Sequence, residues 1–205
     1  MPRNLVFFDT ETTGIPVKGS NWETDYNSFP YIVQLSWKRS DQDEVKDFIV
    51  KPEGYEIPEF ASQIHGITTE RALAEGDYFE NVIRHFIADC LDAEKIVGHN
   101  IYFDTSNLKA NVCRYVEKNG DSGPFDVEWI DKIVDALDKS KRIDTMMKTV
   151  KFCNIPFPNG KGQKWPTLIE LYDKLFNEEF PAHNSKFDVL ATERSYYELV
   201  KLGIL

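Results

Sequence analysis

Hydrophobic and polar positions alternate along this chain in two successive regimes. Strand-like patterns come first. Residues 4–9 (NLVFFD) form an apolar run ended by a charge, 31–38 (YIVQLSWK) alternate, and 44–51 (EVKDFIVK) alternate up to Pro52. Each predicts a strand, and three in succession predict an antiparallel meander. Between the first two, TETTGIPVKGSNWETDYNSFP is dense in Thr, Gly, Pro and Asn and predicts a long loop.

Helical spacing then takes over. It marks 58–64 and 79–91, where Val82, Ile83, Phe86, Ile87 and Leu91 share a face, and 104–118. It continues at about 127–138, in TLIELYDKLF after Pro166, and from Lys186 to Lys201. Residues 95–99 (KIVGH) predict a short buried strand, and 143–152 (IDTMMKTVKF) a short strand or a helix start. Gly123-Pro124 predicts a break in an acidic stretch at 119–140, and FCNIPFPNGKGQKWP predicts a loop. Strands followed by helices around one more strand predict an α/β chain with a mixed sheet. With no repeat, low-complexity tract or linker, residues 1–205 read as a single domain.

Composition narrows the class. A hydrophobic share of 41% and an aromatic share of 13% over 205 residues suffice for a packed core and exclude a disordered chain. Cys90, Cys113 and Cys153 are odd in number and lack CxxC spacing, so unpaired thiols and a reducing compartment are expected. The opening MPRNLVFFDT is too short an apolar run for a leader, and nowhere do roughly 18 consecutive apolar residues occur, so a cytoplasmic protein with no membrane contact is expected. The net charge of −10 argues against wrapping duplex DNA, which takes many cationic contacts. It leaves room for an enzyme that grips one strand end.

Candidate chemistry sits at four acids and a histidine. Asp9 and Glu11 lie two apart at the end of the first strand and therefore share a face. Two adjacent carboxylates are costly unless a cation neutralises them, and oxygen-only donors suit Mg²⁺ or Mn²⁺. A lone DxE is as readily a solvated strand end. Asp104 stands at a helix start, where a capping Asp is common. His183 and Asp188 lie five apart where the last helix begins, which alone says no more than a helix-start acid beside a surface His.

In order, with their flanks, these segments resemble the DEDDh exonucleases, the group that holds the proofreading subunits of bacterial replicative polymerases. The motifs read Asp9-Thr10-Glu11-Thr12-Thr13-Gly14, His99-Asn100-Ile101-Tyr102-Phe103-Asp104 and His183-Asn184-Ser185-Lys186-Phe187-Asp188. The resemblance extends to Ile64-His65-Gly66-Ile67-Thr68, Ile143-Asp144-Thr145 and Trp165-Pro166-Thr167-Leu168.

It implies an RNase H-like fold, a mixed five-stranded sheet flanked by helices. It also implies a 3′→5′ exonuclease releasing nucleoside 5′-monophosphates with two divalent cations, Mg²⁺ or Mn²⁺. By the same carry-over Asp9 serves both ions, Glu11 and Asp188 the one bearing water, and Asp104 the other. His183 is the general base, imidazole being the side chain that accepts a proton near neutral pH. Thr12, Thr13, Gly14 and Ile15 are expected to contact the terminal nucleotide, Ile15 as a wedge against its base. His65 is either a pocket residue or a hydrogen-bonded turn histidine, and Asn100 either positions substrate or caps a turn. Phe103 and Phe187 read as core, His99 as structural and His85 as surface.

Trp22, Tyr26 and Phe29 on the long loop either stack on bases or pack the loop down. The expected substrate is a single-stranded 3′ end, DNA before RNA. An oligoribonuclease-like enzyme, an inactive binding module and an endonuclease on the same fold are the rivals. The chain ends at Leu205 without the further segment by which proofreading subunits tether to a polymerase, so a freestanding enzyme is expected, with a polymerase partner left open.

Overall fold

The computed structural model describes residues 4–120 and 127–205. Five strands form one sheet: β1 (Leu5–Thr12), β2 (Ile32–Arg39), β3 (Val45–Ile49), β4 (Lys95–Gly98) and β5 (Arg142–Asp144). Their order is β3-β2-β1-β4-β5. The first three make the predicted antiparallel meander, while β4 and β5 join parallel to β1. β1 is thus hydrogen-bonded on both sides and lies at the centre. This is the expected mixed, RNase H-like sheet.

Eight α-helices surround it among the described residues: α1 (Glu59–His65), α2 (Thr69–Glu75), α3 (Phe79–Asp92), α4 (Ile101–Asn119), α5 (Val127–Ala136), α6 (Thr145–Cys153), α7 (Leu168–Phe176) and α8 (Ser185–Lys201). Strand alternation divides the core between the two faces of the sheet. Val6, Phe8, Trp37 and Ile96 meet Val82, Phe86, Leu108 and Ile133 of α3, α4 and α5. Leu5, Phe7 and Val97 meet Val189 and Tyr196 of α8.

Several expectations shift. β1 does not stop at Asp9 but continues to Thr12, because β2 pairs it through Glu11↔Gln34 and beyond. Helix α4 begins three residues before Asp104, as Asn100 adopts a left-handed conformation (φ 65°) that turns the end of β4 directly into a helix. Residues 143–152 are strand and helix in turn, with Asp144 capping α6 by accepting from the Met146 and Met147 amides. Helix α2 went unread because it buries only Ala72 and has no apolar stripe; the Thr68 side chain caps it. Leu91 is exposed rather than on the buried face of α3. The Gly123-Pro124 break lies outside the described residues, as does the start of the chain up to Arg3. The three cysteines are buried and unpaired. Among the described residues no helix is long and apolar enough to cross a membrane.

Phe86 joins the layers, its ring 5.1 Å from Phe8 and 5.5 Å from Trp37, fully shielded from solvent. Phe86→Ala is expected to lower unfolding free energy by about 3–5 kcal/mol, from lost transfer energy and the cavity left behind. Urea denaturation followed by far-UV circular dichroism measures it; a loss below about 1 kcal/mol would show the site collapsing around the gap.

Candidate active site

The end of β1 presents chemistry on both faces of the sheet. Asp9 and Glu11 are in phase with Leu5 and Phe7 and emerge on the α8 side. Asp188 stands in the first turn of α8. Carboxylate oxygens of Asp9, Glu11 and Asp188 lie within 4.8 Å of one another. Thr10 follows Val6 and Phe8 onto the other face. There its hydroxyl (2.6 Å) and amide (3.2 Å) both donate to Oδ1 of Asp104, in the first turn of α4. The sequence signal for Thr10 is its place between two carboxylates, in the opposite phase to both. His183 precedes α8, exposed and with a left-handed backbone (φ 66°), and its amide donates to Asp188 Oδ2 at 3.1 Å. All five motif residues thus gather at one edge of the sheet.

A cleft of about 720 Å³ opens beside them, lined by Glu11 to Ile15, Asn27 to Pro30, Phe60, His65 and Phe103. Thr12 and Thr13 use their hydroxyls to shape its rim: Thr12 Oγ1 donates to the Gly14 carbonyl (2.6 Å), and Thr13 Oγ1 accepts from the Tyr31 amide (3.0 Å). Ile15 is 83% exposed over the opening, where a wedge was expected. Phe103 lines the cleft instead of filling the core, and Phe187 is exposed; both correct the core reading.

His65 ends α1, and Gly66 supplies the left-handed cap (φ 74°) that only glycine adopts without strain. The His65 ring is buried, and its Nδ1 accepts the Ile67 amide at 3.1 Å. Burial pulls its pKa down, so the neutral ring carries its proton on Nε2. That nitrogen has no partner among the described residues. A buried donor without an acceptor costs about 1–3 kcal/mol, and here it belongs to a residue lining the cleft.

Asn100 stands apart from the cleft lining. Its backbone amide donates to Asp144 Oδ1 (3.1 Å), and its side chain makes no capping hydrogen bond to α4. His99 is structural, joining the Thr145 hydroxyl (3.0 Å) and the Pro166 carbonyl (2.9 Å). His85 is on the surface. On the long loop, Phe29 is buried and Trp22 lies under Lys109, whose Nζ is 5.0 Å from the ring. These two pack the loop down.

The acids repel one another strongly. Burial, then Asp104, Asp188 and Glu11, hold Asp9 well above the usual carboxylate range. Burial, then Asp188 and Asp104, push Glu11 up to about 8. Asp104 and Asp188 rise to about 7, chiefly by burial. Hydrogen bonds oppose this, from Thr10 to Asp104 and from the His183 and Asn184 amides to Asp188, but among the described residues no cationic side chain does. Clustered hard oxygens without a protein counter-charge fit a divalent cation such as Mg²⁺ or Mn²⁺.

Each of these groups binds its proton more tightly folded than unfolded, so its contribution is fully present below the unfolded values of 3.8 and 4.5 and is lost as pH rises through about 7 to 8. Mg²⁺ or Mn²⁺ is expected to raise Tm more at about pH 8 than at about pH 5, since binding needs the ionised form. Asp9→Asn should stabilise the metal-free protein at the higher pH and shrink the cation-induced rise. Differential scanning calorimetry reads both, and an equal cation effect at the two pH values would sink the assignment.

The chain is similar to known proteins in family and in fold. The model of the RNase T exonuclease family matches residues 6–196. No curated protein matches the chain. Among solved structures, a product-bound exonuclease I superposes with TM-score 0.68 at 18% identity, over 98% of this chain and 44% of that one. Escherichia coli exonuclease I in complex with a dA16 oligonucleotide gives 0.64 at 21% identity, over 97% and 41%. The zinc-bound form of the E. coli enzyme with single-stranded DNA gives 0.66 at 22%, over 99% and 41%. The chain therefore spans less than half the length of these proteins, and at such identities the likeness is one of fold. With the family match running almost end to end, the chain belongs to the RNase T exonuclease family.

Proposed function

We propose that this protein is a metal-dependent 3′→5′ exonuclease that trims single-stranded DNA ends and releases nucleoside 5′-monophosphates. The observation that carries the reading is the approach of Asp9, Glu11 and Asp188 oxygens to within 4.8 Å, with Asp104 held nearby by Thr10, beside a cleft of nucleotide size. Exonuclease I, which shares the fold, has been seen with a dA16 oligonucleotide, and that favours DNA for this chain.

Two divalent cations, when bound by these acids, would supply Lewis-acid polarisation of a phosphate and a bound water of lowered pKa. Asp9 would contribute to both, Glu11 and Asp188 to the one beside the attacking water, and Asp104 to the other. His183, free at the surface and fastened by its amide to Asp188, takes the water's proton on an imidazole nitrogen. His65 Nε2 donates to an acceptor on the terminal nucleotide and so gains the partner it lacks among the described residues. Ile15 and Phe103 supply the apolar contact that a base requires.

The test uses 5′-labelled DNA and RNA oligomers of matched sequence with Mg²⁺ or Mn²⁺. A ladder shortening from the 3′ end of DNA is expected. Asp9→Ala should abolish it, and His183→Ala should slow it by about 10²–10⁴-fold while leaving Mn²⁺ affinity near wild type. Wild-type rates in Asp9→Ala, internal cutting of a circular strand, or preferential loss of the RNA would each overturn a stated part of the reading.

A further inference from the structure

The cleft wall formed by Asn27 to Pro30 has an unusual support. Asn27 also lines a second cavity of about 330 Å³ on the far side of that segment. The wall is therefore partly a partition between two spaces, and packing alone does not fix it. Beside the buried Phe29, one guanidinium gathers its main-chain carbonyls. Arg114 Nη2 donates to the carbonyls of Tyr26 (2.7 Å) and Phe29 (2.6 Å), and Nε reaches Asn27 Oδ1 at 3.4 Å. The guanidinium lies 4.2 Å from the ring of Tyr31, which stacks in turn on Tyr55 at 3.9 Å. Arg114 Nη1 also donates to Asn111 Oδ1 (3.3 Å), and Asn111 Nδ2 donates to the Pro30 carbonyl (2.9 Å).

The clamp reaches the opposite rim as well. The Val17 amide donates to the Ser28 carbonyl at 3.1 Å, so the strip that carries Ile15 is tied to the clamped segment. Arg114 sits on α4 ten residues beyond Asp104, roughly 15 Å along the helix axis at 1.5 Å per residue. A single rigid helix thus carries a carboxylate of the acidic cluster at its start and the fastening of the substrate wall further along.

We propose that Arg114 is a positioning residue that sets the grip on the terminal nucleotide through the Tyr26–Tyr31 segment. This rests on the reading of the cleft as the nucleotide site. The contacts demand a planar fork that serves two carbonyls and a ring face at once, which a lysine cannot reproduce.

The experiment measures kcat and KM on a 5′-labelled DNA oligomer, and thymidine 5′-monophosphate and Mn²⁺ affinities by calorimetry, for wild type, Arg114→Ala and Arg114→Lys. In Arg114→Ala, KM and the nucleotide's dissociation constant are expected to rise about tenfold or more, the scale of a displaced binding wall. kcat should stay within about threefold and Mn²⁺ affinity should not change, because the acids are untouched. Arg114→Lys should fall between. Should Arg114→Ala fail to fold, the lysine variant decides alone. Unchanged KM and nucleotide affinity in the folded variants, or a fall in kcat alone, overturns the clamp. If wild type shortens no strand yet its nucleotide affinity still depends on Arg114, the exonuclease reading fails and the clamp survives.

Discussion

Mutual repulsion among buried carboxylates is the constraint around which this molecule is organised. Asp9, Glu11, Asp104 and Asp188, which keep their protons to higher pH than separated carboxylates do, would move apart if the backbone allowed it. The fold denies them that freedom. β1 is fixed by ladders on both sides, so the first pair has nowhere to go. The other two enter at the first turns of α4 and α8, where unpaired amides and the helix dipole favour negative charge. Thr10 and the His183 amide then fasten one oxygen of each. The result is an electrostatic cost that a divalent cation, if bound, would relieve.

That arrangement explains why a single strand serves two purposes. Odd positions of β1 run from core to acids on the α8 face, and even positions run from core to Thr10 on the α4 face. Each face delivers one of the distant acids to the same sheet edge. The strand has to extend past Asp9 for this to work, which is why its observed length exceeds the apolar run that marks it.

Much of this was legible beforehand because it depends on period and order. The meander, β4, α3 and α8 all announce themselves by alternation or by helical spacing, and the three motifs fall at the strand and helix ends where the acids are found. What escaped notice lacks a periodic signature. Helix α2 is defined by the Thr68 cap and buries a single alanine. Phe103 precedes an acid at a helix start and reads as core, yet the left-handed Asn100 sets the phase of α4 so that this ring faces the cleft. The Arg114 contacts join positions more than 80 residues apart through main-chain carbonyls, which carry no side-chain identity for a sequence to display.

The central place of β1 has a further consequence for biogenesis. Its parallel partner lies about ninety positions downstream at Lys95–Val97, and the last acid, Asp188, lies 179 positions beyond Asp9. A nascent chain still short of Asp188 holds an incomplete acidic cluster. The cluster is therefore completed only after the strands and helices between Asp9 and Asp188 have been made, so its crowding is met by a scaffold already synthesised.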